Sequence, residues 1–423
     1  METPRLKGEV RRRASDTVGT RLADEPVIAL HGIRTAGKST LLDQVASTAG
    51  QERIDLDDSD TKIAVESDPP LFARGPSPVC IDEYQRVPAI LDAIKAELNK
   101  DLRPGRFVLT GSTTYESLPL TAQSLTGRLH RVIVWPFSQG EIDSVHETFV
   151  EQLLDDPTQL VSNSMSTTSR EEYMERITHG GMPLALTRST GAARTRWFND
   201  LIELIVTRDV MELSRIRQRH ILPHLLRRLA TQTAQTLVVA SASESVGIDK
   251  STGENYTQLL ESAFLIHRLP AWGNSAHARV SKRPKVHMID TGLASHLLRI
   301  TPEKLVRRNP AVLTELGHLL ETFVVNEILK QASWLDQPVT AEHFRTRDDE
   351  EADLVLERDD GGIVGVEVKS AVSVPKAEFR GLRKLREMAG DAFLGGVVMY
   401  MGQRSYTYDD RLHVIPIDRL WKP

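Results

Sequence analysis

A glycine-rich segment near the amino end carries residue types that bind a phosphate group. It reads GIRTAGKST, a GxxxxGK motif followed by Ser. Its glycines let the backbone approach a phosphate that a Cβ would block. Backbone N–H groups would face the phosphate, Lys38 would reach the β and γ oxygens, and the Ser39 hydroxyl would bind Mg²⁺. The predicted nucleotide contacts are Gly32, Arg34, Thr35, Ala36, Gly37, Lys38, Ser39 and Thr40.

The segments on either side of this loop are those that must position it. Residues 26–30 are apolar and predict a buried strand, and residues 38–49 have helical character. Strand, loop and helix in this order are typical of a nucleotide-binding phosphate loop. The alternative is a glycine-rich turn that merely caps an ordinary helix.

Two further strands end in groups suited to ATP hydrolysis. Residues 78–81 are apolar and lead into Asp82 and Glu83. Asp82 would hold the water shell of Mg²⁺, and Glu83 would orient or deprotonate the attacking water. A strand that runs into a solvated acidic turn looks the same, but the pairing with a phosphate loop favours the catalytic interpretation. Residues 106–110 predict another strand, after which Ser112 is either a γ-phosphate sensor or part of a simple turn.

The segments GIRTAGKST, IDEYQRVP, FVLTGS and LTGRLHRVIVWPFSQGE together resemble a bacterial and archaeal family of AAA-type ATPases with a C-terminal extension of uncharacterised function. The resemblance continues in order through residues 180–183, residues 285–293 and the last hundred residues. It implies that Arg128 could act as an arginine finger on a bound nucleotide. Pairing of Arg128 with an acidic neighbour is the alternative. The resemblance also makes a homo-oligomer plausible, because AAA-type relatives often place an Arg in a neighbour's site.

The composition limits the class of protein. A chain of 423 residues exceeds the usual size of one core, so two or three domains are expected. Hydrophobic residues make up 40% and charged residues 26%, which is typical of a soluble globular protein. The single cysteine, Cys80, excludes an internal disulfide and favours a cytoplasmic location. No apolar stretch predicts a membrane span, and a net charge of −5 means that nucleic acid would need a local basic patch.

A helix-turn-helix pattern lies in the middle of the chain. Residues 241–246 and 250–261 predict two helices, and residues 264–269 and 279–289 predict a hairpin behind them, as in a winged helix. Its basic residues could neutralise DNA phosphates. Base reading is less favoured, because the second helix is poor in basic residues and Gly253 weakens it. A winged helix that only packs against protein is the alternative. The predicted nucleic-acid contacts are Arg279, Lys282, Arg283 and Lys285.

A second set of chemical groups lies in the last hundred residues. Asp353 is followed by a turn and then by Glu367 and Lys369, which resembles the D and ExK core of restriction-endonuclease-like nucleases. A hairpin with residues 358–362 as its loop would place Asp353 opposite Glu367. These carboxylates could hold Mg²⁺ or Mn²⁺, with Lys369 beside the attacking water and Glu321, on a preceding helix, as a further acid. An ordinary cross-strand ion pair gives the same pattern, and many such domains do not cleave.

These patterns together predict an α/β protein. A P-loop NTPase parallel sheet with helices on both faces is followed by a helical, winged-helix-like segment and a small α/β endonuclease-like domain. The predicted domains are a basic segment 1–24, an ATPase domain 25–150, a winged-helix-like domain 151–300 and an endonuclease-like domain 301–423. The predicted function is ATP hydrolysis coupled to work on nucleic acid, with DNA favoured. The alternatives are a nucleotide-controlled switch whose nuclease-like domain is inactive, and, less favoured, a small-molecule kinase.

Overall fold

The N-terminal part of the chain folds around one parallel sheet. The computed structural model describes residues 10–112, 125, 127–210, 218–273, 283–306 and 310–422. In chain order the first elements are α1 (Arg13–Leu22), β1 (Val27–His31), α2 (Lys38–Thr48), β2 (Arg53–Asp55), α3 (Ser59–Ser67), α4 (Pro69–Ala73), β3 (Val79–Asp82), α5 (Ala89–Lys100), β4 (Phe107–Gly111), β5 (Leu129–Ile133) and α6 (Gln139–Asp143).

The five strands lie in the order β2-β3-β4-β1-β5, and all the pairings are parallel. The side chains of β1, β3 and β4 are buried along their whole length, which explains why these strands read as continuous apolar runs. Since all carboxyl ends of parallel strands meet at one edge, the loops after β1, β3 and β4 lie side by side. The predicted P-loop NTPase sheet is confirmed.

The middle of the chain is mainly helical and carries a small antiparallel sheet. Its elements are α7 (Phe149–Asp155), α8 (Arg170–His179), α9 (Pro183–Leu186), α10 (Gly191–Leu204), a π-helical turn (Ile205–Asp209), α11 (Leu222–Ala230), β6 (Gln235–Thr236), α12 (Val239–Glu244), α13 (Lys250–Ser262), β7 (Ile266–Leu269), β8 (Lys285–Met288), α14 (Thr291–Leu298) and α15 (Pro302–Val306). The sheet order is β6-β8-β7.

Gly253 has a packing role in this part of the chain. It is buried in α13, and a Cβ at this position would overlap the Ser243 side chain of α12. The residue that weakens α13 as an isolated helix therefore permits the close crossing of α12 and α13.

The C-terminal part contains a mixed six-stranded sheet. Its elements are α16 (Pro310–Ala332), β9 (Val339–Arg345), β10 (Glu351–Arg358), β11 (Ile363–Lys369), α17 (Arg380–Ala389), β12 (Phe393–Tyr400), β13 (Tyr406–Asp409) and β14 (Leu412–Pro416). The strand order is β13-β14-β12-β11-β10-β9, with β11, β12 and β14 parallel to one another. The α/β character predicted for this part is confirmed.

The hairpin of β10 and β11 has the predicted register. Leu354 pairs with Val366 and Glu357 with Ile363, so Asp353 lies opposite Glu367. The Arg358 N–H also donates to the Gly362 carbonyl at 2.9 Å, so the hairpin closes one pair further than expected. A continuous hydrophobic core joins the three parts, from Ala14 in α1 to Trp421 near the carboxyl end. Among the described helices, none has both the length and the apolar character needed to cross a membrane.

Candidate functional site

The phosphate loop connects the end of β1 to the start of α2. Thr35 has a φ of 65° and Gly37 a φ of 94°, so the chain bends through the left-handed region twice before the helix begins. A Cβ on Gly32 would overlap the carbonyl oxygen of Val134, which explains the first glycine of the motif. Ser39 and Thr40 lie in the first turn of α2, half-buried and exposed respectively.

Lys38 is held inside this loop. Its side chain is buried, and Nζ donates to the carbonyl oxygens of Gly32 at 2.9 Å and Ile33 at 3.1 Å. Burial lowers the pKa of Lys38, while the nearby carboxylates of Glu83 and Asp82 act in the opposite direction. The electrostatic coupling to both carboxylates indicates that the loop and the end of β3 form one site.

The predicted acidic pair lies at the end of β3, next to the end of β4. Asp82 is buried, accepts a hydrogen bond from Thr110 and forms an ion pair with Arg53. Glu83 is also buried; its N–H donates to Thr110 Oγ1 at 3.1 Å, and its Oε2 accepts from Ser112 Oγ at 3.3 Å. Burial raises the pKa of Glu83, as suits a group that accepts a proton.

The donor set at this edge fits a magnesium nucleotide. A hydroxyl and a carboxylate, from Ser39 and Asp82, are oxygen ligands of the kind that Mg²⁺ prefers. The backbone of the loop before α2 has the bends that a phosphate cradle needs. These residues would hold the ion and the phosphates, and the bound ion would supply charge neutralisation for phosphoryl transfer.

Two residues that sequence reasoning missed, Asp209 and Arg12, contact the phosphate loop. Arg34 forms a bidentate ion pair with Asp209, which lies 175 positions further along the chain, at 2.8 and 2.7 Å. Arg12 is buried beside the loop and donates to the Ala36 carbonyl oxygen at 2.6 Å. Neither contact has a local sequence signal, because both partners come from distant segments.

The residues predicted for the C-terminal site converge on one cleft of about 570 Å³. Glu321 of α16, Asp353 of β10, and Glu367 and Lys369 of β11 all line it. Lys369 Nζ contacts Glu367 at 2.7 Å and Glu378 at 2.8 Å. The Val368 N–H donates to Asp353 Oδ2 at 2.9 Å, which fixes that carboxylate against the edge of β11.

Comparisons with known proteins agree with the first of these two sites. Residues 24–143 match a family model described as an AAA domain. This segment, called the AAA domain below, is thus similar to AAA domains and has the P-loop NTPase fold. Residues 170–304 and 316–420 match two models of domains of unknown function.

Relatives that align with most of the chain are named only as uncharacterised proteins. Proteins of Mycobacterium bovis and Mycobacterium tuberculosis are each 26% identical to the chain over 415 residues, covering 97% of this chain and 84% of the relative. A Walker-type ATPase of Pyrococcus abyssi has a similar structure with a TM-score of 0.42 and 15% identity, covering 70% of this chain and 98% of that one.

Arg128 lies at the end of the AAA sheet where its parallel strands begin, opposite the end that carries the phosphate loop. It immediately precedes β5, whose first residue, Leu129, pairs with Val27 at the amino end of β1. The phosphate loop follows the opposite end of β1. Arg128 Nη1 donates to Asn99 Oδ1 at 2.6 Å, which gives it an amide partner among the described residues. Arg128 therefore does not lie beside the phosphate loop of its own chain.

The predicted nucleic-acid contact at Lys285 is wrong. Its side chain is 2% exposed and forms ion pairs with Glu321 at 2.6 Å, Glu351 at 2.5 Å and Asp353 at 3.0 Å. The sequence suggested a basic hairpin tip, but Lys285 is the first residue of β8 and points into the C-terminal cleft. Arg283 is exposed. Arg279 and Lys282 lie outside the described residues.

The C-terminal cleft does not fit the second metal ion predicted for it. Across the described parts of the chain, no group of three or more His, Cys, Asp or Glu side chains is arranged to hold a metal ion. Burial raises the pKa of Glu321 and of Glu367 far above the ordinary carboxyl value, and in both cases Asp353 adds to the effect. The lysines in the cleft already neutralise part of its negative charge.

Proposed function

We propose that the AAA domain binds ATP with Mg²⁺ and hydrolyses it. The observation that carries this proposal is the convergence of Lys38, Asp82 and Glu83 at one edge of the sheet, where the loop after β1 and the end of β3 lie on either side of β4. In this proposal Lys38 binds the β- and γ-phosphates, Asp82 and Ser39 position Mg²⁺, and Glu83 activates the attacking water. Ser112, which donates to Glu83, is then placed to report the γ-phosphate.

Two substitutions separate binding from turnover. Lys38→Ala should weaken ATP binding, because the only ammonium inside the loop is removed. Glu83→Gln should leave binding nearly unchanged and lower kcat by about 10²- to 10⁴-fold, the usual contribution of a general base. Nucleotide affinity is measured by calorimetry and turnover by phosphate release. Glu52→Gln, on the exposed surface, is the control. Equal loss of binding in both site variants would contradict the assigned roles.

We also propose that the protein self-associates when it binds ATP, with Arg128 reaching a neighbour's site. The position of Arg128 far from its own phosphate loop supports this. Arg128→Ala and Glu83→Gln should each be nearly inactive alone. A mixture should regain activity, because an intact Glu83 site then meets an intact Arg128. An inactive mixture, with ATP-dependent assembly verified by native mass spectrometry, would count against the shared site.

For the partner we propose DNA. The helix, strand, two helices and two strands from α11 to β8 follow the order of a winged helix, and Arg283 is exposed two residues before the last strand. ATP turnover measured with single-stranded, duplex and branched DNA is the direct test. Stimulation should fall in Arg279→Ala, Lys282→Ala and Arg283→Ala variants and at higher salt. Arg103→Ala, also on the exposed surface, is the control. If none of these DNAs changes the rate of ATP hydrolysis, the proposal is refuted.

The main alternative is a nucleotide-controlled switch whose nuclease-like domain does not cut. The ion pairs of Lys285 favour it over a metal-dependent nuclease. Supercoiled plasmid is incubated with Mg²⁺ or Mn²⁺ and either wild type or Asp353→Ala. Plasmid cleavage that requires the metal ion and is lost in Asp353→Ala would establish the nuclease. If wild type and variant leave the same small amount of cut plasmid with and without metal, the result would favour the switch.

A further inference from the structure

The cleft at the junction of the middle and C-terminal parts contains one ammonium group with three acidic partners. Lys285 Nζ lies 2.6 Å from Glu321 Oε1, 2.5 Å from Glu351 Oε1 and 3.0 Å from Asp353 Oδ1. The three carboxylates come from α16 and from the first residues of β10. Two of these contacts, to Glu321 and Asp353, are hydrogen bonds that Nζ donates, and the contact with Glu351 is an ion pair.

The surrounding charges explain why a cation is needed there. The cleft wall also carries Glu367, whose Oε1 contacts Lys369 and whose buried Oε2 has no recorded hydrogen-bond partner. Buried carboxylates that lie this close together repel one another unless a cation lies between them. Either a lysine or a divalent metal ion could meet that need.

We propose that the Lys285 ammonium is the resident cation of this cleft, and that while Lys285 is present the cleft holds no divalent metal. A metal ion bound by Glu321 and Asp353 would have to lie about 2 to 2.6 Å from their oxygens, which is the space that Nζ fills. Its charge would also repel the ammonium at close range. In this chain a residue of β8 thus takes the place that the nuclease-like pattern assigns to a metal.

This arrangement has a second consequence. Lys285 belongs to the small sheet of the middle segment, whereas its partners belong to the C-terminal segment. The resident cation therefore also fastens the two segments together, and the cleft cannot be converted to a metal site without releasing that attachment.

The test counts bound Mn²⁺ by electron paramagnetic resonance in the full-length protein without nucleotide. The variants are Lys285→Met, which keeps most of the side-chain volume, Asp353→Asn, and the two combined. Lys330→Met is the matched control, because Lys330 is also a buried lysine, 2.6 Å from a single carboxylate, that of Glu327.

Wild type and Asp353→Asn should bind the same number of Mn²⁺ ions. Lys285→Met should bind one more, with at least tenfold higher affinity than any new site in Lys330→Met, and the added Asp353→Asn change should abolish it. Loss of one Mn²⁺ from wild type on Asp353→Asn substitution would overturn the proposal, as would a folded Lys285→Met that gains none. If Lys285→Met fails to fold, the comparison of wild type with Asp353→Asn still decides. None of these outcomes depends on ATP hydrolysis.

Discussion

Replacing Arg12 should damage the AAA domain far more than replacing its neighbour Arg11. The Arg12 guanidinium is buried and makes three directional contacts, to the carbonyl oxygens of Ala36 at 2.6 Å and Trp135 at 2.7 Å and to Glu141 Oε1 at 3.0 Å. Arg11 has a side chain that is 83% exposed and a single surface ion pair. The two residues thus share a charge and a sequence neighbourhood but differ in burial.

The magnitude follows from what Arg12→Ala leaves behind. The Glu141 side chain is 1% exposed and would lose the buried guanidinium with which it forms an ion pair. Removing one member of a buried ion pair typically costs about 3 to 5 kcal/mol. The carbonyl groups of Ala36 and Trp135 would also lose a charged donor. Arg12→Lys keeps the charge but cannot reach three acceptors in one plane, so its loss should be intermediate.

Chemical denaturation followed by tryptophan fluorescence measures this loss, since Trp135 is itself a contact of Arg12. Arg12→Ala should lower the unfolding free energy by about 3 to 5 kcal/mol and weaken ATP binding, because Ala36 belongs to the phosphate loop. Arg11→Ala should match wild type in both assays. If the two alanine variants have the same stability, the reasoning that ties the amino-terminal segment to the loop is wrong.

The remaining predictions concern backbone space and pH. Gly32→Ala should abolish ATP binding and destabilise the AAA domain, because the new Cβ would overlap the Val134 carbonyl oxygen. Gly19→Ala is the control, because a Cβ on this residue of α1 would meet open space, and it should raise the free energy of unfolding by roughly 0.5 to 1 kcal/mol in the same denaturation assay. Burial lowers the pKa of His267 to about 4, so its contribution to stability is present above about pH 6.5 and is lost as the pH falls toward 4. The free-energy difference between wild type and His267→Gln should therefore move by roughly 2 kcal/mol in favour of the variant between pH 7.5 and 5; an unchanged difference would mean that the imidazole titrates normally.

The parts of the AAA site that sequence reasoning found are those whose geometry is local. The loop from Gly32 to Lys38 needs glycine at set positions, and the apolar runs of β1 and β3 fix which strand ends meet. The hairpin register around Asp353 was also predictable, because strand alternation and a short turn leave few choices.

The parts that could not be predicted depend on contacts between distant segments. Lys285 lies in a basic stretch of sequence, which predicts an exposed side chain, yet β8 carries it into an acidic cleft formed by residues at least 36 positions away. The role of Asp209 could not be predicted, because no sequence pattern links it to Arg34, which lies 175 positions earlier in the chain. The role proposed for Arg128 rests on the family resemblance. The resemblance identifies a position in the sequence pattern but does not tell at which end of the strands Arg128 lies.

Asp209 and Lys285 share one property that bears on how the chain is built. Each is a buried charge whose partners belong to another segment, and an uncompensated buried charge is far more costly than an exposed one. Such contacts favour a single arrangement of the segments, and the hydrophobic core that runs from α1 to the last helical turn favours the same arrangement. The AAA domain therefore does not sit beside the C-terminal segment as a separable module: Arg34 is neutralised by a residue of the middle segment, and that segment in turn neutralises the cleft through Lys285. A change at the phosphate loop that releases Asp209 would therefore leave a buried carboxylate unpaired in the segment that also supplies Lys285 to the cleft.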